Sequence, residues 1–250
     1  MRKYMIGYTI WNRQDQIGWA LDGIVEHCPT VSNVQFIFDA CEDESEKMFD
    51  LMAPQLLRAI PFTKQTANDV GEAGTHDMLM RQFMETDCDV LIIMQHDQRF
   101  ASPAFSKLDE VLDVYGDTIG LIGCRIGYEV NWSDRVGSRW GLGKTGVMLE
   151  EGRWAEKSYV NTGPVVYSRS LIEKVGFIDL EFKHWYIAED YCARSHHEHK
   201  LKNVVVDIPI RHMNFGRLKA TDVAYRPGIR GVDGNRMYDK WKQLGWRGKG

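Results

Sequence analysis

The chain has 250 residues, of which 44% are hydrophobic and 26% are charged. This is the composition of an ordinary soluble globular protein and excludes a disordered or collagen-like chain. Its longest apolar runs are far shorter than the roughly 20 residues that cross a bilayer, so we expect no transmembrane segment. The five cysteines are odd in number, widely spaced and without any C-x-x-C pair. They argue against a disulfide framework and predict a cytoplasmic protein.

The net charge of −4 is distributed unevenly along the chain. Residues 216–250 contain nine Lys or Arg and three Asp, a net charge of +6, so the first 215 residues carry −10. We therefore divide the chain into a body, 1–215, and a basic C-terminal segment, 216–250. This segment is either a solvated surface tail or a clamp for an anionic ligand.

Strand-like and helix-like stretches alternate through the first half of the chain. Compact apolar runs predict strands, and apolar residues three or four positions apart predict helices. In chain order the predictions are strand 5–11, helix 17–28, strand 34–38, helix 48–56, helix 73–84, strand 90–94, helix 105–112 and strand 119–124. This alternation predicts a single α/β domain whose central sheet is mostly parallel and is flanked by helices.

The second half of the chain breaks this alternation. Residues 127–158 are rich in Gly, Trp and charged residues, which predicts a long irregular loop. The elements predicted after it are strand 160–167, helix 170–175, helix 187–200 and strand 204–208.

Three groups of polar residues follow predicted strands, and ligands of open parallel sheets bind beyond the carboxyl ends of the strands. We therefore expect Trp11–Arg13, Asp39 and Gln95–Asp97 to converge on one face. A carboxylate at the end of a buried strand, such as Asp97, is costly unless it binds a cation or hydrogen-bond donors. With His96 or a distant His it is a candidate site for Mg²⁺ or Mn²⁺. The alternative is that Asp97 caps the next turn.

Three groups in the second half are further candidates. Glu189 and Asp190 precede a predicted helix and either complement its dipole or include a general base. His212 follows a short strand and is either structural or a ligand. The cluster 196–199 contains three His, but its spacing suits no metal site, and we interpret it as a solvated helix end.

Several segments form an ordered set that is specific, although no single segment is decisive. They are Ile6–Arg13, Val34–Asp43, Asn68–Gly71, Val90–Asp97, Asn161–Gly163, Val175–Asp179, Glu189–Asp190, Val204–His212 and Tyr238–Trp241. Their order resembles that of the family 2 glycosyltransferases with the GT-A fold, over nearly the whole chain.

The resemblance implies a GT-A (Rossmann-like) fold and the transfer of a sugar from a UDP- or GDP-sugar to an acceptor hydroxyl, with inversion. It implies a divalent metal, Mn²⁺ or Mg²⁺, held by Asp97 with His212 as a further ligand. Asp190 would be the general base, and Glu189 would help to position the donor sugar or the acceptor. The basic C-terminal segment would close over the diphosphate. The other residues implied at the nucleotide-sugar are Thr9, Trp11, Arg13, Asp39, Gln95, His96, Asn161, Thr162, Arg226, Arg230 and Lys240.

Three positions depart from the family pattern. Gln95 stands where the family's D-x-D motif has its first Asp, Ala40 stands where a second acidic residue follows Asp39, and Thr75 or His76 stands in place of an Arg. The departures fit a divergent subfamily, a non-standard donor or lost activity. The alternative function is therefore a catalytically inactive module that binds nucleotide-sugars. A metal hydrolase that uses the His-rich helix is a third reading.

The acceptor is not readable from the sequence. Glycan, lipid-linked, protein and small-molecule acceptors all fit. A nucleic-acid acceptor stays open as well, because a basic segment can follow phosphates.

Overall fold

Four parallel strands form the amino-terminal part of the central sheet. They are β1 (Tyr4–Ile10), β2 (Asn33–Asp39), β3 (Phe62–Ala67) and β4 (Val90–Gln95), in the spatial order β3-β2-β1-β4. The computed structural model to which they belong describes residues 2–128, 153–160, 163–212 and 220–246. The predicted strands 5–11, 34–38 and 90–94 are confirmed. Strand β3 was not predicted, because it lies at the sheet edge and four of its six residues are polar.

The remaining strands make the sheet mixed. They are β5 (Gln98–Phe100), β6 (Ile119–Tyr128), β7 (Trp154–Glu156), β8 (Val165–Ser168) and β9 (Lys202–His212). Strand β8 runs antiparallel to both β4 and β6, and β9 runs parallel to β6 but antiparallel to β5 and β7. Six of the nine strands in the described part of the chain, β1–β4, β6 and β9, run in one direction, so the predicted mostly parallel sheet is confirmed, and β5, β7 and β8 run the opposite way. An apolar run indicates a strand but not its direction.

The helices cover both faces of the sheet. Helices α1 (Ile17–His27), α2 (Ser45–Leu56) and α4 (Phe105–Tyr115) share one apolar core with alternate residues of β1, such as Ile6. The opposite core contains Met5 of β1. It is covered by α3 (Gly71–Met84), α5 (Arg169–Val175), α6 (Ile187–Ala193) and α7 (Ala220–Trp241).

Most of the predicted helices lie where the periodicity placed them. The predicted helix 187–200 is α6 followed by a π-helical turn, Arg194–Glu198. Most of the predicted loop 127–158 lies outside the described residues, and β7 falls within its final part. Within the described part of the chain, no helix combines the length and the apolar character that a membrane span requires.

Strand direction brings several carboxyl ends to one edge of the sheet, which we call the strand-end edge. Because β1, β2 and β4 are mutually parallel, Thr9, Asp39 and Gln95 lie at this edge. Strand β9 has the same direction as β4, because β8 is antiparallel to β4 and β6 while β9 is parallel to β6. Its last residue, His212, therefore lies at the strand-end edge too, opposite Gln98 of β5.

Candidate functional site

A buried carboxylate–imidazole pair lies at the strand-end edge. The Nε2 atom of His212 is 3.2 Å from Oδ2 of Asp97. Asp97 and His212 are 6% and 3% exposed. The other carboxylate oxygen of Asp97, Oδ1, is buried and has no hydrogen-bond partner in the structure. The sequence placed both residues at a metal site, and the fold brings them together.

Opposing effects set the charge of Asp97. Burial raises the pKa of this carboxyl, but the hydrogen bond and the charge of His212 lower it, as do the charges of His96 and Arg13. The net pKa lies below the usual range of an aspartate. Asp97 is therefore ionised at neutral pH, and Arg13 and His96 are close enough to influence it.

The residues present fit a divalent cation whose coordination shell is completed by a bound ligand. Mn²⁺ binds both carboxylate oxygens and imidazole nitrogens, and here one carboxylate oxygen has no hydrogen-bond partner. Mg²⁺ is commonly bound by one or two carboxylates together with substrate phosphates. Among the residues that the structure describes, no group of three or more His, Cys, Asp and Glu could hold a metal by itself. The remaining positions on the ion would therefore belong to water or to a ligand.

Hydrogen bonds fix the turn that carries Asp97. The backbone N–H of His96 donates to the carbonyl of Thr9 at 3.0 Å. The side chain of Gln98 accepts from the backbone N–H of Gln95 and donates to its side-chain oxygen, both at 3.0 Å. A Cβ atom at Gly163 would collide with the amide of Gln98. Gly163 therefore packs closely against the same turn.

Asp39 holds the start of helix α3 against the strand-end edge. Its Oδ1 accepts the backbone N–H of Val70 at 2.9 Å, and its Oδ2 accepts that of Gly71 at 2.8 Å. Gly71 has a φ of +75°, and a Cβ atom there would lie 2.7 Å from the carbonyl oxygen of Lys183. This position therefore requires glycine.

The turn after β1 is joined to the loop after β2. Asn12, with a φ of +49°, accepts the backbone N–H of Glu42 at 2.6 Å. The backbone N–H of Arg13 donates to Ser45 Oγ at 3.0 Å. Trp11 and Arg13 are half-buried, and Arg13 forms an ion pair with Asp15 at 3.3 Å. These predicted residues lie at the strand-end edge, as expected.

Glu72, which was not among the predicted site residues, also lies at the strand-end edge. The side-chain amide of Gln95 donates to Oε1 of Glu72 at 2.5 Å, and Nε2 of His76 is 3.9 Å from the same oxygen. Glu72 lies in the first turn of α3, where an acidic residue is usually explained as a complement to the helix dipole. The available signal in the sequence was the four-residue spacing of Glu72 and His76, which places both side chains on the same face of a helix.

Asp190 is buried beneath the last turn of α7 and is 1% exposed. Arg194 Nε donates to its Oδ2 at 3.0 Å. Trp241 Nε1 donates to its Oδ1 at 2.8 Å, and Lys240 Nζ lies 2.8 Å from the same oxygen. Its neighbour Glu189 is half-buried in the first turn of α6.

Polar contacts dock helix α7 on the body from residue 230 onward. The guanidinium of Arg230 lies 5.1 Å from the ring centre of Trp185, and Arg236 pairs with Glu181 at 3.2 Å. Lys240 forms a second ion pair with Asp179 at 2.7 Å. These contacts oppose the reading of residues 230–241 as a solvated tail, and they engage Arg230 and Lys240 with the body. Asn161, Thr162 and the side chain of Arg226 lie outside the described residues.

No family model matches the chain, and neither does any curated protein. Solved structures do match it. The crystal structure of GalNAc-T7 with UDP, GalNAc and Mn²⁺ gives a TM-score of 0.66 at 11% identity. The match covers 86% of this chain but only 44% of that one.

Two further structures give similar scores. The mannosyltransferase PcManGT from Pyrobaculum calidifontis, in complex with GDP-Man and Mn²⁺, matches at a TM-score of 0.61 and 15% identity, over 99% of this chain and 65% of that one. S. aureus TarS matches at 0.60 and 8% identity, over 95% of this chain and 40% of that one. These neighbours are glycosyltransferases of the GT-A fold. The chain described here has the GT-A fold.

Proposed function

We propose that this protein is a metal-dependent glycosyltransferase that moves a sugar from a UDP- or GDP-sugar to an acceptor hydroxyl. The observation that carries the proposal is the Asp97–His212 pair at the strand-end edge of a GT-A sheet. Its free Asp97 oxygen is a buried acceptor suited to a cation. Two structures of the same fold are described as complexes with Mn²⁺ and with UDP or GDP-Man, which supports this choice of ligands.

In this proposal the strand-end residues contact different parts of the nucleotide-sugar donor. Asp97 and His212 hold the divalent ion, which when bound would stabilise the negative charge of the departing nucleoside diphosphate. Thr9, Trp11 and Asp39 lie beside the nucleotide base, and Arg13 and His96 add positive or polar groups near the diphosphate. Arg226 and Arg230 are proposed to reach the diphosphate from the basic segment. Lys240 is the weaker candidate, because two carboxylates already hold its ammonium.

The transfer step needs a proton acceptor on the acceptor side. The acceptor oxygen attacks the anomeric carbon on the face opposite the diphosphate, the carbon–oxygen bond to the diphosphate breaks, and its electron pair leaves with the nucleoside diphosphate. The configuration is therefore inverted. The hydroxyl proton passes to Asp190, with Glu189 positioning the sugar or the acceptor. Because Lys240 and Trp241 contact Oδ1 of Asp190, they must move for an acceptor to reach it.

The metal role is tested with an isosteric variant. We expect Mn²⁺ to increase the affinity for at least one UDP- or GDP-sugar and to support its slow hydrolysis, and Asp97→Asn to abolish both effects. Calorimetric titration and detection of released nucleoside diphosphate measure them. The matched control is Asp22→Asn, an exposed position on α1. Equal turnover in Asp97→Asn, or in the wild type with a chelator, would contradict the proposal.

The same assays distinguish the proposed transferase from the alternative function, an inactive module that binds nucleotide-sugars. The amide of Gln95 in place of a carboxylate is the observation that favours an inactive binding module. Such a module would bind a nucleotide-sugar with Mn²⁺ but release no nucleoside diphosphate with glycan, lipid-linked, protein, small-molecule or nucleic-acid acceptors.

The assignment of the base is tested by two paired variants. We expect Asp190→Asn to lower the transfer rate by about 100-fold or more and to leave donor affinity nearly unchanged, because an amide takes up no proton. Glu189→Gln should cost less than about tenfold if its role is positioning. Single-turnover transfer and donor titration provide the two readouts. The opposite ranking would assign the base to Glu189, which needs no movement of Lys240.

A further inference from the structure

We propose that Glu72 binds the ribose hydroxyls of the donor nucleotide and thereby selects ribonucleotides. The inference rests on the proposed function and deepens it. The proposal gives a carboxylate on helix α3 a direct contact with the nucleotide bound at the strand-end edge. The sequence analysis did not name this residue as part of a site.

The position of Glu72 is defined by its contact with the strand-end turn. Gln95, whose amide donates to Glu72 Oε1 at 2.5 Å, begins the turn that carries Asp97. The start of α3 is held at the same edge by the two hydrogen bonds that Asp39 accepts from Val70 and Gly71. The Glu72 carboxylate and the candidate metal ligand Asp97 therefore border the same site.

Charge explains why this chain has an amide at position 95. A carboxylate there would lie at hydrogen-bond distance from Glu72, and two like charges this close repel each other. Gln95 instead supplies a hydrogen-bond donor. The charged partner of the pair is therefore Glu72 on α3, and the neutral partner is Gln95 on β4. His76 is 3.9 Å from Glu72, but burial lowers its pKa to about 3, so the imidazole is neutral and forms no ion pair with the carboxylate.

A carboxylate accepts several hydrogen bonds, so Glu72 can accept from a ligand while it accepts from Gln95. The side chain of Glu72 is 16% exposed, which is enough for a bound ligand to touch it. Vicinal hydroxyls present two donors, and hydrogen bonds from hydroxyls to a carboxylate are strong because the acceptor is charged.

The experiment compares nucleotides that differ only in these hydroxyls. With Mn²⁺ present, calorimetric titration measures the affinity of the intact protein for UDP and GDP and for their 2′,3′-dideoxy counterparts. We expect the wild type to prefer the ribonucleotide by about tenfold or more, as hydrogen bonds to a charged group provide. In Glu72→Gln this preference should fall to about threefold or less, with the affinity for the dideoxy nucleotide unchanged.

Two further variants control for structure. Glu85→Gln makes the same chemical change at an exposed position just after α3 and should keep the wild-type preference. The double variant Glu72→Gln with Gln95→Glu exchanges the two groups of one hydrogen bond. It should restore any lost melting temperature but not the ribose preference, because the carboxylate has moved to the strand.

Each outcome separates the two proposals. Equal losses for the ribonucleotide and the dideoxy nucleotide in Glu72→Gln would overturn the assignment to Glu72 and leave the proposed function intact. A full preference in the double variant would also overturn it. A wild type that binds neither UDP nor GDP would refute the proposed function, and the role of Glu72 with it.

Discussion

At the scale of single residues, His76 is unusual because both of its ring nitrogens are buried without a hydrogen-bond partner in the structure. The residue is 1% exposed, and burial lowers its pKa to about 3. A neutral histidine in the folded protein becomes protonated in the unfolded chain at mildly acidic pH. This difference in proton binding couples the stability of the whole protein to pH.

We expect His76 to weaken the protein as the pH falls. Between about 6.5 and 3 the unfolded chain binds a proton at His76 that the folded protein does not, so the free energy of unfolding decreases by up to about 1.4 kcal/mol per pH unit from this group. The effect is absent above the unfolded pKa. Urea unfolding from pH 8 to 4.5 should show a shallower dependence in His76→Leu than in the wild type. The exposed His196→Gln should follow the wild type, and parallel curves for wild type and His76→Leu would contradict the assignment.

Single residues also show the limit of sequence reading. Asp97 was a candidate metal ligand from the sequence because a carboxylate at the end of an apolar strand is a local signal, whereas the family resemblance suggested His212 as a further ligand. Glu72 could not be identified in this way, because its proposed role depends on the contact between α3 and Gln95, which only the packed fold creates. Asp190 was a predicted candidate for the general base, but its three donors could not be predicted, because two of them come from a helix distant in the sequence.

At the scale of elements, helix α7 is fastened through one buried carboxylate. Asp233 is 1% exposed and accepts the backbone N–H groups of Lys183, His184 and Trp185, the last two at 2.9 Å. Met237, fully buried one turn later, adds an apolar contact. The helix thereby orders the loop that leads into Glu189 and Asp190.

We expect Asp233→Ala to lower the free energy of unfolding by about 2–4 kcal/mol, because three backbone donors lose their acceptor together. Urea denaturation measures the loss, and hydrogen exchange should show faster exchange at residues 183–185. Asp239→Ala is the control on the same helix, since its pair with Lys242 is exposed and contributes little. A change no larger in Asp233→Ala than in this control would refute the anchoring role.

The elements show which parts of the fold a pattern of residues encodes. Buried strands such as β4 are predictable because both faces are apolar, whereas β3 is not, because its side chains are mostly exposed. The direction of β8 depends on the path of the chain between elements, which the composition of the strand does not record.

At the scale of the whole molecule, the uneven charge found in the sequence has a structural counterpart. The acidic body and the basic segment meet in the ion pairs of Arg236 with Glu181 and of Lys240 with Asp179 and Asp190. Opposite net charges therefore favour docking of α7 on the body. The convergence of loops at the strand-end edge was predictable from alternating strands and helices, but the partners of each charge were not.

The pairing of β5 with β9 has a consequence for how the site assembles during folding. Gln98 lies opposite His212, so Asp97 and His212 meet only after a late part of the chain has been added beside an early part. Contacts between distant parts of a chain carry a large cost in chain entropy and form slowly. With only the first four strands in place, the chain would hold Asp97 but not His212, the other residue of the proposed metal site. Metal binding at this proposed site would therefore require the completed fold and would stabilise it over partly folded species.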